Sequence, residues 1–269
     1  MIVFPLCKIN LGLNVVSKRP DGYHEIETCF YPVPLTDVLE VIPASAFSFT
    51  QTGILLDGQS ADNLCVKAFE LLSRDYVIPP VSMHLHKVIP AGAGLGGGSS
   101  DAVHVLRLLN TYFELGISRQ TLQRYASRLG SDCAFFLYDG PMLGKGKGDI
   151  LSPISINLKG YSLILVKPRV YVSTAEAYRC VVPKQPVELI ETVLKSDIRQ
   201  WNNRLVNDFE ASVFSKHPEI GVIKAVLYNH GALYAGMSGS GSSVYGIFEQ
   251  PIDLSHEFSD YFYWAGLLP

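Results

Sequence analysis

Pro90-Ala91-Gly92-Ala93-Gly94-Leu95-Gly96-Gly97-Gly98-Ser99-Ser100-Asp101-Ala102 is the stretch on which the reading of the chain turns. It joins a strand-like run to a helix-like one. Upstream, Val81, Met83, Leu85 and Lys87 share one face of Val81-Ser82-Met83-His84-Leu85-His86-Lys87 by the two-residue alternation of a β-strand. Downstream, Ala102, Val105, Leu106, Leu109 and Phe113 recur at three- and four-residue steps, which predicts an amphipathic helix packed on a core. Ser99 or Ser100 is expected to cap its first turn. A helix start of this kind presents unpaired backbone N–H groups and the positive end of the dipole, and so attracts an anion. The glycines serve the same end, because a backbone that wraps a polyphosphate needs positive φ and no Cβ in the ligand's path.

Gly92-Ala93-Gly94-Leu95-Gly96-Gly97 also satisfies the dinucleotide pattern G-x-G-x-x-G. Three observations weigh against it: Pro90 stands at the strand exit, the run continues into Gly-Ser-Ser, and the loop does not follow the first strand of a βαβ unit. No Gly-Lys-Ser/Thr follows at the P-loop spacing. A flexible linker rarely opens directly onto an amphipathic helix.

The remaining composition narrows the class of protein. With 269 residues, 48% of them hydrophobic and 17% charged, the chain has enough apolar material for one large domain or two ordinary ones. A net charge of −3, with no Lys/Arg cluster interleaved with aromatics, argues against a nucleic-acid partner. No apolar run approaches a membrane span, and Met1-Ile2-Val3-Phe4-Pro5-Leu6 is too short for a signal peptide and lacks its basic region. A cytoplasmic protein is expected. Cys7, Cys29, Cys65, Cys133 and Cys180 are odd in number and widely spaced, which points to reduced thiols and away from a disulfide framework or a zinc site.

Along the chain, Cys7 to Val15 alternates an apolar face with Lys8, Asn10, Gly12 and Asn14. That polar face is either the solvated side of an edge strand or a pair of groups set to meet phosphate and hydroxyl oxygens. Pro20-Asp21-Gly22 is a turn, followed by Tyr23 and His24 and by strands over 26–33 and 37–42. Asp62-Asn63 opens a helix reaching about Ser73, and Ser118 caps another that Gly130 ends. Asp132 then borders the apolar run Cys133 to Leu137, as a turn or cap residue or as a carboxylate held for proton transfer. In the second half, Gly140 to Asp149 reads as a turn between strands, Tyr161 to Val166 as a strand, and Ser173 with Glu176 as a capping box. Weak helicity over 188–196, a helix over 219–228 ending at Gly231, and a Gly-Ser tip before strand Val244 to Phe248 complete an α+β pattern.

Taken in order, Lys8-Ile9-Asn10-Leu11-Gly12-Leu13, Asp21-Gly22-Tyr23-His24, the glycine stretch through Ala102, Gly130-Ser131-Asp132, Asn207-Asp208-Phe209-Glu210 and Ser238-Gly239-Ser240-Gly241 resemble the GHMP kinase superfamily. The resemblance covers nearly the whole chain, and Asp-Gly-Tyr-His separates it from the mevalonate and homoserine branches. It implies an α+β fold of two domains, a ribosomal S5 domain 2-like ATP-binding domain over 1–157 and a ferredoxin-like substrate domain over 158–269. It implies ATP as phosphoryl donor with Mg²⁺, and the tertiary 2-hydroxyl of 4-diphosphocytidyl-2-C-methyl-D-erythritol, of the non-mevalonate isoprenoid pathway, as acceptor.

By the same resemblance, Pro90 through Ser100 cradle the triphosphate, Asp132 is the general base, Lys8 neutralises developing charge, and Asn10 orients the acceptor hydroxyl. His24 reads the cytosine edge, Tyr178 or Tyr23 stacks on its face, and Ser238 and Ser240 approach the phosphates and substrate. Asn63 and Lys87 are placed near adenine by position, and Ser100 is the metal ligand by analogy, without a partnering Glu. Cys7 replaces the alanine that commonly precedes the lysine. A monomer or weak homodimer is expected. Two competing readings are another GHMP kinase with a different alcohol and a non-catalytic ATP-binding sensor of the same fold.

Overall fold

The computed structural model describes residues 1–54 and 62–269. Its elements begin with β1 (Ile2–Val3), β2 (Leu6–Lys18), β3 (His24–Thr36), β4 (Val38–Pro43) and β5 (Ser48–Gly53). Next come α1 (Leu64–Ser73), β6 (Val81–Lys87), α2 (Gly97–Tyr112) and α3 (Arg119–Leu129). After a 3₁₀ turn at Cys133–Leu137 follow β7 (Met142–Lys145), β8 (Ile150–Pro153), β9 (Ser162–Lys167), α4 (Thr174–Cys180) and α5 (Ile190–Leu194). The chain ends with α6 (Glu210–Lys216), α7 (Pro218–Asn229), β10 (Tyr234–Met237), β11 (Val244–Phe248) and β12 (Phe262–Leu267). Two compact units emerge. The first comprises Met1–Cys7, Leu35–Ala91 and Gly96–Asp139; the second comprises Lys8–Pro34, Gly92–Leu95 and Gly140–Pro269.

In the first unit the sheet runs β1-β4-β6-β5, with β5 parallel to β6 and the other pairs antiparallel. On β6 the expected alternation holds: Val81, Met83, Leu85 and Lys87 are buried, and Ser82, His84 and His86 are not. The helix after the glycines packs against α1, α3 and the 3₁₀ turn, with Ala102, Val105, Leu106 and Leu109 fully buried. Asn63 caps α1 by accepting from the Cys65 N–H, and Ser118 caps α3 by accepting from that of Thr121. The start of α2 differs from expectation. Its cap is Gly96, left-handed at φ 68°, with no side-chain bond, and Ser99 and Ser100 already lie inside the helix. Only glycine takes that φ without strain, so the helix begins earlier and the serine hydroxyls serve other partners.

The second unit holds two sheets, β2-β3-β7-β8, in which β7 runs antiparallel to β3 and β8, and the antiparallel β10-β11-β9-β12. Read from β9 as the first strand, the latter has the order 2-3-1-4 of a ferredoxin-like sheet, with turns at 255–260 in place of a helix before β12. Its core gathers Leu13, Ile164, Val166, Phe209, Ile223 and Met237. Ser173 caps α4 as expected, accepting from the Glu176 N–H. The reading of Gly140 to Asp149 as one turn needs correction: Met142–Lys145 is a strand between β3 and β8, and the turn is confined to the residues after it. Gly144 disguised the strand. A Cβ there would stand 2.6 Å from the Phe30 ring, so glycine is required by packing and not by a bend. Among the described residues no helix is long and apolar enough to cross a membrane.

Candidate active site

The polar face of β2 is not a solvated edge. Lys8 is 3% exposed and Asn10 2%, on a strand whose apolar face, Ile9, Leu11 and Leu13, is equally buried. Burying an ammonium is costly unless oxygens close around it. Lys8 Nζ donates to Asn10 Oδ1 at 2.7 Å and to the Gly94 carbonyl at 2.8 Å, and stands 5.5 Å from the centre of the Phe30 ring. Asn10 Nδ2 donates to Thr28 Oγ1 at 2.9 Å, and Thr28 donates in turn to the Gly12 carbonyl. These bonds fix the carboxamide with its oxygen toward the ammonium.

Ser238, from the late Gly-Ser tip, joins the same cluster. Its hydroxyl donates to the Gly94 carbonyl at 2.8 Å and accepts from the Asn10 N–H at 3.2 Å. Two residues outside the expected site hold this arrangement. Asn207 is 5% exposed; its Nδ2 donates to the carbonyls of Met237 and Gly239, both at 2.8 Å, and its Oδ1 accepts from the Phe209 N–H. Tyr245 donates to the Asn10 carbonyl at 2.7 Å. Asn207 stood in a recognised motif without a role, and a buried amide that satisfies two loop carbonyls supplies one. Ser240 is more peripheral, with its Oγ 3.3 Å from that of Thr174.

His24 and Tyr178 also come together in the second unit. Their rings stack at 4.7 Å between centroids and 23° between planes, and Tyr178 rests edge-on against Phe209 at 4.8 Å. Burial, with the nearby Lys18 charge, lowers the His24 pKa below its ordinary value. Tyr23, the other aromatic candidate, is 56% exposed and lies under the Lys147 ammonium.

The first unit carries the helix start and Asp132. Gly96, where that helix starts, adopts positive φ, as do Gly92 and Gly94 of the second unit, a conformation suited to a loop that folds around a polyphosphate. Asp132 precedes the 3₁₀ turn, and its Oδ1 accepts from Ser99 Oγ at 2.9 Å. A hydroxyl on the first turn of α2 thus orients the carboxylate. Asp132 and Ser99 belong to the first unit, and Lys8, Asn10, His24, Tyr178 and Ser238 to the second.

Lys87, Asn63 and Ser100 have partners of their own within the first unit. The Lys87 side chain is 2% exposed and donates to Asp37 Oδ2 and to Asp101 Oδ2. The Asn63 carboxamide is engaged as the α1 cap and 3.4 Å from Gln51 Oε1. Ser100 is fully buried, with Oγ 3.4 Å from His104 Nδ1. Among the described residues no three His, Cys, Asp or Glu side chains are grouped to hold a metal ion.

The family model for the GHMP kinases N terminal domain matches residues 63–140, and the model for the GHMP kinases C terminal domain matches residues 189–263. A 4-diphosphocytidyl-2-C-methyl-D-erythritol kinase of Parabacteroides distasonis is 51% identical over 270 residues, covering 100% of both chains. One of Bacteroides thetaiotaomicron is 52% identical over 253 residues, covering 93% of this chain and 92% of the relative. A crystal structure of 4-(cytidine 5'-diphospho)-2C-methyl-D-erythritol kinase superposes with a TM-score of 0.85 at 32% identity, over 99% of this chain and 98% of that one. Methanococcus jannaschii mevalonate kinase, at 13% identity and a TM-score of 0.70 over 100% of this chain and 98% of that one, shares the fold. The chain therefore belongs to the GHMP kinases, with their N- and C-terminal domains, and is an ATP-dependent small-molecule kinase.

Proposed function

We propose that the chain transfers the γ-phosphoryl group of ATP to the 2-hydroxyl of 4-diphosphocytidyl-2-C-methyl-D-erythritol, a step toward isoprenoid precursors in the non-mevalonate pathway. The observation that carries this reading is full-length identity of 51% to a relative named for that substrate. In the reaction the acceptor oxygen attacks the γ-phosphorus, its proton passes to Asp132, and ADP leaves. Ser99 holds the Asp132 carboxylate in place for that transfer. Lys8 stabilises charge that develops on the transferring group, and Asn10, aligned by Thr28, positions the acceptor hydroxyl. Little covalent chemistry falls to the protein, so positioning and electrostatics supply the rate.

The turn Gly92 to Gly96 and the N–H groups at the start of α2 receive the triphosphate, with Ser238 and Ser240 closing on phosphates and substrate. Mg²⁺ would accompany the nucleotide's phosphates and neutralise their charge, with Ser100 on the first turn of α2 as the residue proposed to meet it. His24 reads the cytosine edge and Tyr178 supplies the ring for stacking, in preference to the exposed Tyr23. Residues 1–157 form the ATP-binding domain and 158–269 the substrate domain, in a cytoplasmic enzyme that is a monomer or weak homodimer. The test is competition: ATP with equimolar 4-diphosphocytidyl-2-C-methyl-D-erythritol, mevalonate and homoserine, with products identified by mass. Phosphorylation of the cytidylyl compound alone supports the reading, and a preference for either other alcohol overturns it.

A further inference from the structure

Beneath the start of α2 lies a charge cluster that the phosphoryl-transfer scheme does not use. Lys87, at the end of β6, donates to Asp37 Oδ2 and, at 2.8 Å, to Asp101 Oδ2. The three side chains are 0–3% exposed. Asp37 is further tied to the backbone, its Oδ1 accepting from the N–H groups of Val88 at 2.6 Å and Ile89 at 2.9 Å, just before the glycine stretch. Asp101 Oδ1 has no partner. Two buried carboxylates on one ammonium, with one oxygen left over, make a poor stabilising device, because hydrophobic residues of like volume often fill such a space without loss. Their placement shows another use.

Asp101 is in the fifth position of α2, two residues beyond Ser99. At about 100° per residue the two side chains leave the helix on nearly opposite sides. Asp101 points back to the strand, and Ser99 reaches Asp132. Gly97 completes the fit, since a Cβ there would stand 2.8 Å from Ile89 and 3.3 Å from Lys87 Nζ.

We propose that Asp37, Lys87 and Asp101 are positioning residues for phosphoryl transfer: they clamp the first turn of α2 from behind, fixing the direction of its N–H groups toward the triphosphate and of Ser99 toward Asp132. Directional bonding between charged groups specifies one rotation and height of the helix, which apolar packing alone specifies weakly. The clamp rests on the reading of this helix start as the triphosphate site. Asp37, Lys87 and Asp101 all belong to the first unit, and His24 and Tyr178 to the second.

The experiment compares Asp101→Leu, Lys87→Met and Asp101→Asn with the parent enzyme. Direct ATP binding is measured by calorimetry, and KM for each substrate and kcat by ADP release, after circular dichroism and thermal unfolding have shown folded protein. The expected result is a KM and Kd for ATP raised by about tenfold or more in Asp101→Leu and Lys87→Met, with a lower kcat and an acceptor KM within about twofold. Asp101→Asn retains an acceptor for Lys87 but removes the charge, so its Kd for ATP rises by a smaller factor of about threefold, with the acceptor KM unmoved. General destabilisation lowers the active fraction and kcat without this split. Folded Asp101→Leu and Lys87→Met proteins that bind ATP like the parent overturn the clamp. If both fail to fold, Asp101→Asn decides alone: a shift in the ATP constants with an unmoved acceptor KM supports the clamp, and equal shifts in both, or no shift in either, overturn it. A parent that binds no ATP overturns the nucleotide-site reading along with it.

Discussion

The ammonium of Lys8 stands 2.7 Å from the carboxamide oxygen of Asn10, two residues along the same strand and on the same face. The Gly94 carbonyl is its second acceptor, so a loop oxygen and a strand amide together define where the charge sits. Lys8→Met removes that charge, which the proposed mechanism sets against the transferring phosphoryl group. The expected outcome is a fall in kcat of about 10³-fold, with the KM for the cytidylyl acceptor changed far less. Steady-state kinetics on the folded variant decide it; a kcat within tenfold of the parent excludes Lys8 from a role in stabilising the transition state.

Ser99 is expected to act through Asp132. Ser99→Ala deletes the 2.9 Å bond that orients the carboxylate while leaving the carboxylate itself. The loss in kcat should be about tenfold, and Asp132→Asn with Ser99→Ala should be little worse than Asp132→Asn alone. Multiplying losses in the double variant show that the two side chains act independently.

Gly94 has no room for a side chain. Its φ is 74°, and a Cβ would overlap the Ser238 carbonyl oxygen, which belongs to the backbone and cannot rotate away. Gly94→Ala is therefore expected to cost about 2 kcal/mol or more in stability, from left-handed strain plus the overlap. Urea unfolding measures it, and a variant as stable as the parent shows that the loop lies elsewhere.

Asn207→Leu leaves the carbonyls of Met237 and Gly239 without their buried donor. A loss of about 2–4 kcal/mol in stability follows from the desolvation of those groups. Because the same tip carries Ser238, kcat falls as well.

His24 ionises below the ordinary imidazole range, because burial and Lys18 disfavour its charged form. Above that range it is neutral in folded and unfolded chains alike. As pH falls through about 6.5, the ordinary imidazole value, the unfolded state takes up the proton first, so stability is present above that value and is lost as pH falls through the folded pKa. Acceptor affinity should follow the same course, steady near about pH 8 and weakening toward about pH 5 as the ring charges. His24→Gln should abolish the difference; an identical pH profile for parent and variant separates His24 from the acceptor.

Much of this was legible in the residues, for reasons that differ from element to element. The alternation on β6 and the helical spacing after the glycines are local patterns, and both elements stand where the periodicity puts them. Ser118 and Asn63 cap as read, because a cap depends on neighbours a few residues away. The α2 cap escaped, since the backbone conformation of Gly96 outweighed two serines that look like caps. Strand β7 escaped because Gly144 answers to Phe30, a residue far away in sequence. Lys87 shows the same limit at the site: its place on an apolar face was clear, but Asp37 and Asp101 are separated from it by 50 and 14 residues. The structure adds roles for Thr28, Asn207 and Tyr245 that no local spacing announces.

The most direct test of the account is coupled ADP release with purified protein, ATP, Mg²⁺ and 4-diphosphocytidyl-2-C-methyl-D-erythritol, beside Asp132→Asn and a control without acceptor. The account predicts turnover that requires the acceptor and falls by about 10³-fold or more in Asp132→Asn. ADP release at the same rate without acceptor, or none at all from a protein that binds ATP, contradicts it.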